Sequence, residues 1–445
     1  MADGKKESAE GRKESGLGVA VDELVAERMG IQVRDLTQER AEAYQVEAFR
    51  RTLAYAREKG DFYRTHLKDI DPGEILSLSD LTKVPTTCEE DLAGEEWRFA
   101  CIDASSVQRV VTVPTTGTRG KRKRLSFSEE DQRRAIDFIN RGYLTMDCTE
   151  GERMLIYMSG NAPGSIGDLV KQAMEPLHMD IRVVGPVTDI AKAYEELMDF
   201  APSVVEAIPW HMAGLARYGS QFGNPEKAFI RSVNLSADVV PDAIVERLER
   251  LWGCSVHRHY GSTEMCIFGG VECAYHGGYH LRPCDILLEI PETDEQGRGE
   301  ILMTTLDREA MPLIRYRTGD IGRMTGERCG CGCQIQRLEK VYGRESSRIT
   351  LGSASFFLSD LAEALFGQDE VIDFEVRLTG ERLLEVTVLT LPGEGMELSA
   401  VEERLCSLAG LRKALEEGAC VLKLTQRATD SYPEGRNLKK TVVRI

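Results

Sequence analysis

The sequence has no apolar run that approaches the roughly 18–20 residues needed to cross a bilayer, which excludes a helical membrane protein. Its first residues, MADGKKESAEGRKESG, also lack the apolar core of a secretory signal. Positive charge is scarce too, since 56 lysines and arginines face 73 acids and leave a net charge of −17. Nucleic acids and anionic lipid surfaces select cationic proteins, so we expect neither as a partner. We expect a disordered tail over residues 1–28 and a cytoplasmic protein.

The length and composition indicate a soluble protein with more than one domain. At 445 residues the chain is longer than a single hydrophobic core usually serves. Its hydrophobic fraction of 42% and charged fraction of 29% are ordinary for a globular protein.

The chain has twelve cysteines, but a reducing compartment does not favour disulfides. Several stand singly among apolar neighbours, as Cys101, Cys266 and Cys420 do, where cysteine behaves as a small hydrophobic residue. The segment RCGCGC at Arg328–Cys333 is different, because three thiols in one short loop indicate a metal or redox role.

Periodicity and capping signals predict alternating helices and strands. We expect helices at Thr37–Lys59, from Ser128 to about Tyr143 and from Pro241 to Gly253, and strands at Met154–Met158 and Ser255–Tyr260. This alternation favours an α/β sheet. After VYGRESSR the pattern becomes compact α+β, with a helix near Leu358–Leu365, strands near Val371–Leu378, Leu384–Thr390 and Val421–Thr425, and a helix from about Leu398.

We therefore predict an α/β fold with two principal domains. A large α/β N-terminal domain of several subdomains covers residues 29–342. A hinge at 343–346 joins it to a small, mobile α+β C-terminal lid domain over residues 347–445.

The stretch VTVPTTGTRGKRKRLSFS combines hydroxyls, glycines and four consecutive cations in this acidic chain. Its glycines allow backbone N–H groups to converge, while the threonines and Lys121 add donors and charge, which suits a polyphosphate. It is not a Walker A sequence, because the glycine spacing differs and Arg122 replaces the magnesium-binding hydroxyl. A solvated hairpin turn is the alternative.

Three further stretches give that loop a context: YGSTE (260–264) after a predicted strand, MPLIRYRTGD (311–320), and YGR (342–344) at the domain boundary. This ordered set resembles the AMP-forming adenylating enzymes, and most of all the phenylacetate–CoA ligase family. FYRTHL, SLSDLTKVPTTCEEDL, GGVECAYHGGYHL, TTLDREAMPLIRYRTGDI and RCGCGC also occur in that family's order.

The resemblance implies a role for each matching residue. The phosphate loop of ATP binding would be Thr115, Thr116, Gly117, Thr118, Gly120 and Lys121, and the adenine pocket would contain Ser236, Ala237 and Asp238. In the YGSTE turn, Tyr260 would stack on the base with Gly261 and Ser262 beside it, Thr263 would bond the α-phosphate, and Glu264 would ligate magnesium. Asp320 would bind the ribose hydroxyls, with Arg344 nearby, and Lys440 would be the mobile catalytic lysine. The alternative is that Glu264 and Asp320 are surface acids and that Lys440 is a solvated charge.

A zinc site is also implied. Cys329 and Cys331 match the family's C-x-C pair, and with Cys273 and His280 they form a Cys₃His set, which is typical of structural zinc. Cys333 could replace one of the thiolates and His276 could replace His280. Reduced, buried thiols are the alternative.

The expected activity is that of an ATP-dependent, AMP-forming ligase that joins an aryl or other organic acid to coenzyme A. The segments SGNAPGSIGDL and AIPWHMAGLA are candidates for the acid pocket, with Trp210 and His211 as possible contacts, although Trp210 could belong to the core. Two alternatives are an adenylyl transferase acting on a cofactor hydroxyl without CoA, and a non-catalytic nucleotide-binding zinc protein. Homodimerisation is left open.

Overall fold

The computed structural model describes residues 19–114, 122–160, 162–224, 228–433 and 439–445. The predicted phosphate-loop residues Thr115, Thr116, Gly117, Thr118, Gly120 and Lys121 lie outside the described residues.

Helices are distributed over the whole described chain, and none of them is long and apolar enough to cross a membrane. The α-helices are α1 (Ala20–Met29), α2 (Gln38–Lys59), α3 (Asp61–His66), α4 (Glu89–Leu92), α5 (Glu129–Thr145), α6 (Ile166–Met174), α7 (Ile190–Phe200), α8 (Pro209–Phe222), α9 (Asp242–Trp252), α10 (Leu358–Phe366), α11 (Leu398–Ser407) and α12 (Ala409–Glu416).

The strands form several separate ladders. They are β1 (Arg109–Pro114), β2 (Arg122–Phe127), β3 (Arg153–Ile156), β4 (Asp180–Val183), β5 (Val204–Ala207), β6 (Ser232–Leu235), β7 (Ser255–Tyr260), β8 (Gly270–Val271), β9 (His280–Leu281), β10 (Ile286–Glu289), β11 (Gly299–Thr305), β12 (Tyr316–Thr325), β13 (Arg337–Arg344), β14 (Arg348–Leu351), β15 (Ala354–Phe357), β16 (Asp373–Thr379), β17 (Leu383–Thr390), β18 (Val421–Ala428) and β19 (Val442–Arg444).

The chain divides into two compact units. Unit 1 contains the residues up to Asp147 together with His259–Val341, and unit 2 contains Cys148–Arg258 and Tyr342–Ile445. The predicted N-terminal domain, hinge and lid stay a prediction.

Unit 1 is built on antiparallel pairs. Strands β1 and β2 form a hairpin, and β10, β11, β12 and β13 form a sheet in that order. One buried cluster joins the apolar face of α2 to this framework, with Phe49 and Leu53 from the helix, Phe127 from β2 and Met303 from β11. Burial of these faces outside water is the main favourable term that holds the unit together.

The first helix corrects the prediction of a disordered tail over residues 1–28. Residues 20–28 belong to α1, whose Val21, Leu24 and Val25 are buried. Gly30 ends the helix in the left-handed conformation (φ 67°), which glycine adopts at little cost. Burial of these three apolar residues, which recur at helical spacing, therefore explains why this charged segment folds as a helix.

Unit 2 contains a parallel sheet in the order β4-β3-β5-β6-β7, with β7 contributing Ser255–Arg258. It also contains the β14–β15 hairpin and a second sheet in the order β18-β17-β16-β19. The parallel strands are buried on both faces at Val204–Ala207 and Ser232–Leu235, as expected where helices cover a sheet.

A buried arginine ties α9 to the segment that leads into β16. The guanidinium of Arg247 donates to the carbonyls of Phe366 (2.6 Å), Gln368 (2.7 Å) and Val371 (3.0 Å). Burial lowers the pKa of Arg247 to about 10, so the group still carries its charge at neutral pH. Because β16 begins two residues after Val371, this clamp fixes the start of that strand.

The predicted mixed α/β fold is confirmed, and the main elements agree closely with the sequence. Helix α2 begins after Thr37, whose side chain accepts from the amide of Arg40, and ends before Gly60. Helix α5 begins after Ser128 with the expected reciprocal bonds to Asp131. All twelve cysteines are free thiols in this structure.

We predict that Arg247→Met destabilises unit 2 by about 2–4 kcal/mol, because three buried carbonyls lose a charged donor. The matched control is Arg250→Met on the same helix, whose exposed ion pair with Asp369 (2.8 Å) should contribute under about 1 kcal/mol. Urea titration followed by tryptophan fluorescence measures both. Equal losses in the two variants would contradict the clamp.

Candidate functional site

The YGSTE segment forms a tight turn at the carboxyl end of β7. Its backbone closes on itself, since the amide of Ile267 donates to the carbonyl of Ser262 (2.8 Å) and that of Cys266 to Thr263 (3.0 Å). A Cβ at Gly261 would lie only 1.7 Å from the Ile267 carbonyl oxygen, so the turn requires glycine there. Strand ends of this kind are where α/β proteins bind ligands.

Glu264 leaves this turn as a buried carboxylate and contacts the ammonium of Lys123, which is also buried. Lys123 further contacts Glu89 (3.2 Å) and donates to the hydroxyl of Tyr316 (3.2 Å). Lys123 therefore joins α4, β2, the YGSTE turn and the start of β12.

Glu264 and Lys123 each keep the other ionised, although both are buried. Burial alone would raise the pKa of Glu264, but the ammonium of Lys123 lowers it to about 2. Burial likewise opposes the charge of Lys123, and Glu264 raises its pKa above the usual value. Glu264 is thus an ionised, buried carboxylate, which fits the oxygen ligand that Mg²⁺ prefers.

A second contact joins the YGSTE turn to strand β12. The hydroxyl of Tyr260 donates to Oδ2 of Asp320 (3.0 Å), and both side chains are buried. The amide of Asp320 donates to Oγ1 of Thr318 (3.0 Å), which fixes the backbone beside the carboxylate. Asp320 and Glu264 are therefore not the surface acids of the alternative interpretation.

The predicted adenine-pocket residues lie in unit 2, directly after β6. The hydroxyl of Ser236 donates to the carboxylate of Glu206 (2.8 Å), and Ala237 has a positive φ of 74°. Asp238 is held by two backbone amides, those of Val239 (2.9 Å) and Lys440 (2.7 Å). Burial raises the pKa of Asp238.

Lys440 lies in the same unit with only 11% of its side chain exposed, so it is not a solvated tail charge. Its ammonium contacts Asp373, donates to the carbonyl of Phe374 (3.0 Å) and lies 4.8 Å from the centre of the Trp210 ring. Burial lowers the pKa of Lys440 to about 7, against the opposing effect of Asp238. Asp238 and Lys440, predicted from distant parts of the chain, are thus in contact.

The Cys₃His residues also come together. The ligand atoms of Cys273, His280, Cys329 and Cys331 all lie within 4.8 Å of one another. The sulfurs of Cys273 and Cys329 are 3.6 Å apart, and Nε2 of His280 is 3.6 Å from the sulfur of Cys331. Tetrahedral zinc with bonds of about 2.0–2.3 Å would separate its ligands by about 3.5–3.8 Å. The donor set and its spacing therefore fit zinc.

The two alternative ligands have other contacts. Nδ1 of His276 is 3.3 Å from Glu272, and the thiol of Cys333 donates to Asp22 (3.2 Å). Hydrogen bonds from Cys273 and Cys331 lower the pKa of Cys329, which favours a thiolate at that position.

Two further residues of interest lie at the domain boundary predicted from the sequence. Arg344 is half-buried at the end of β13, in unit 2, and Ser346 at the predicted hinge is exposed in a 3₁₀ turn, Glu345–Ser347.

Three charged residues that the sequence motifs do not predict lie beside predicted site residues: Lys123, Asp22 and Asp373. Alternation along β2 is the signal that identifies Lys123, since it shares the buried face with Leu125 and Phe127 and not the exposed face of Arg124. No local pattern identifies the other two, because their partners are distant in sequence.

We predict that Lys123→Met lowers the free energy of unfolding by about 3–5 kcal/mol at neutral pH, because it leaves the carboxylate of Glu264 buried without a cation. Arg124→Met is the matched control, since the neighbouring side chain is exposed. In the variant, burial raises the pKa of Glu264, so protonation at lower pH should reduce the difference from wild type. Thermal unfolding from pH 7 to pH 4 measures this, and a difference that grows with acidity would contradict it.

No protein-family model matches the chain. Curated relatives do: the chain is 28% identical over 356 residues to the phenylacetate-coenzyme A ligase of Thermus thermophilus, covering 77% of this chain and 78% of the relative. It is 25% identical over 368 residues to the same-named enzyme of Aromatoleum evansii, covering 80% of each.

A solved structure of 2-hydroxyisobutyryl-CoA ligase in the postadenylation state, in complex with R3-HIB-AMP, has the same fold, with a TM-score of 0.74, 19% identity and coverage of 92% of both chains. The predicted resemblance is thereby confirmed: the chain is similar in sequence to the phenylacetate–CoA ligases and has the fold of an AMP-forming CoA ligase.

Proposed function

We propose that the chain is an ATP-dependent, AMP-forming CoA ligase, which activates an organic acid as acyl-AMP and then transfers the acyl group to coenzyme A. One observation carries this proposal: the YGSTE turn and the RYRTGD strand are joined twice, by Tyr260 with Asp320 and by Glu264 through Lys123 with Tyr316. The similarity to named CoA ligases supports the same activity.

The residues have distinct roles in the proposed first half-reaction. A carboxylate is a poor acylating agent, so the acid must first become a mixed anhydride with AMP. Asp320, an acceptor oriented by Tyr260, would bind the ribose hydroxyls, and Thr263 would donate to the α-phosphate. Glu264 would hold Mg²⁺, whose charge would offset the negative charge that develops as pyrophosphate leaves.

Lys440 is the proposed donor to the reacting carboxylate and α-phosphate. Its side chain is only 11% exposed, and a charge that is largely removed from water interacts more strongly with a developing anion. In the proposed second half-reaction the CoA thiol attacks the acyl carbon, AMP leaves, and a lid rotation at 343–346 takes Lys440 away.

An aryl acid is the proposed substrate class. Trp210 presents an aromatic face 4.8 Å from the ammonium of Lys440, and His211 follows it on the same buried helix turn. An aromatic wall beside a cation suits an acid with an apolar ring and one carboxylate.

We also propose a structural zinc ion held by Cys273, Cys329, Cys331 and His280. The set offers four protein ligands, which would fill all four positions of a tetrahedral zinc ion, as is typical of a structural rather than a catalytic site. When bound, the ion would cross-link the β8–β9 region to the RCGCGC loop. A cytoplasmic location stays a prediction from the sequence, and homodimerisation stays open.

Pyrophosphate release tests the activity. With ATP and Mg²⁺, we expect release that depends on an added acid from an aryl and aliphatic panel, limited to about one turnover without CoA and sustained with it. Sustained release without CoA in the presence of a hydroxyl-bearing cofactor would instead indicate the adenylyl transferase. No release with any acid would contradict the ligase.

We predict that Lys440→Ala slows acyl-adenylate formation by about 100- to 1,000-fold, as loss of one preorganised donor does, yet still converts added acyl-AMP and CoA to the thioester. Lys439→Ala is the matched control and should retain both half-reactions. Single-turnover assays of each half-reaction measure the effect. An equal loss of both half-reactions in Lys440→Ala would contradict the lid rotation.

A further inference from the structure

His280 faces two different groups with its two ring nitrogens. Nε2 lies 3.6 Å from the sulfur of Cys331, on the side of the proposed metal. Nδ1 lies 3.8 Å from Oδ1 of Asp22 and has no partner within hydrogen-bond distance among the described residues. The ring is fully buried, so bulk solvent does not reach that nitrogen.

Asp22 belongs to α1, more than two hundred residues away in the sequence, and only 1% of its surface is exposed. Its Oδ2 accepts from the backbone amide of Val19 (3.0 Å), as part of the helix cap. Its Oδ1, the oxygen that faces His280, accepts from the thiol of Cys333 (3.2 Å). The sulfur of Cys333 thus groups with Asp22 and His280 rather than with the sulfurs of Cys273, Cys329 and Cys331.

We propose that Asp22 is the carboxylate that accepts the Nδ1 proton of His280 and orients the imidazole for the metal, so that metal binding and the docking of α1 are coupled. This inference rests on the structural zinc of the proposed function. Asp22 is then a positioning residue, and the hydrogen bond from Cys333 holds its carboxylate in place.

The physical reason lies in the tautomer of His280. With the proton on Nδ1, the Nε2 lone pair is available to the metal, and a carboxylate behind Nδ1 fixes that tautomer and the ring plane. The separation of 3.8 Å closes to a hydrogen bond by a movement of about 1 Å. A metal that fixes the ring therefore also fixes Asp22, and with it the first turn of α1.

The remaining contacts of α1 lie along its buried face and at its far end. The amide of Val21 donates to Oγ1 of Thr145 (3.1 Å), and Arg28 pairs with Asp285 (3.1 Å). These contacts keep the helix in place when the Asp22 interaction is weakened, so an Asp22 variant should fold.

Metal affinity of the full chain is the first test, measured by zinc content and by competition with a chromogenic chelator. We expect about one zinc per wild-type chain and an affinity 10- to 100-fold lower for Asp22→Asn, the usual range for loss of such a partner. Glu23→Gln is the matched control, since Glu23 is the exposed neighbour in the same turn and pairs with Arg141 (3.2 Å). Unchanged affinity in Asp22→Asn overturns the proposal.

Cysteine variants test the ligand assignment independently. Cys331→Ser should lose stoichiometric metal, whereas Cys333→Ser should keep it. With Co²⁺ in place of zinc, Cys333→Ser and Asp22→Asn should retain the thiolate-to-metal absorption of a three-thiolate site. Loss of that absorption in Cys333→Ser would make Cys333 a ligand and overturn its assigned role.

Hydrogen exchange over residues 20–29 tests the coupling. We expect chelation to accelerate exchange there at least 10-fold in the wild type and much less in Asp22→Asn, where the link is already weakened. Equal exchange with and without metal in the wild type overturns the coupling. A wild-type chain without bound zinc overturns both this inference and the zinc proposal, and leaves the ligase assay unaffected.

Discussion

A carboxylate that must stay ionised while buried is the constraint on which the unit 1 site depends. Glu264 lies out of water, where an unpaired charge would be costly, and the ammonium of Lys123 offsets that cost. The same ammonium contacts Glu89 and Tyr316. One buried cation therefore fixes the relative positions of α4, β2, the YGSTE turn and β12, and so also the place of Asp320.

Lys123, which is buried, and Lys440, which is largely shielded from water, have pKa values shifted in opposite directions. Two carboxylates raise the pKa of Lys123, which makes it a permanent counter-charge. Burial lowers the pKa of Lys440 to about 7, which leaves its charge sensitive to what binds beside it. A fixed cation suits a structural and ligand-orienting role, whereas an adjustable one suits a donor that acts in only one half-reaction.

The proposed metal centre would also join separate segments of the chain, through metal–ligand bonds instead of an ion pair. In that proposal, a segment too short and too rich in glycine to build a core, such as 329–333, would be held by thiolate–metal bonds in addition to apolar burial. Asp22 extends that network to α1. Thiols elsewhere, such as Cys101 and Cys420, are simply buried, which shows that position rather than residue type separates the two uses.

Local sequence determined the elements and much of the candidate site. Helix caps at Thr37 and Ser128 and the strand before Tyr260 were predictable, because capping and periodicity act over short distances. The Cys₃His set followed from the family resemblance instead, since Cys273 and Cys329 are 56 residues apart. Only the tertiary structure decided the partners of buried charges. The roles of Lys123, Asp22 and Asp373 depend on contacts with residues that are distant in sequence. From the sequence alone a charged side chain is expected to be solvated, because only folding removes its water.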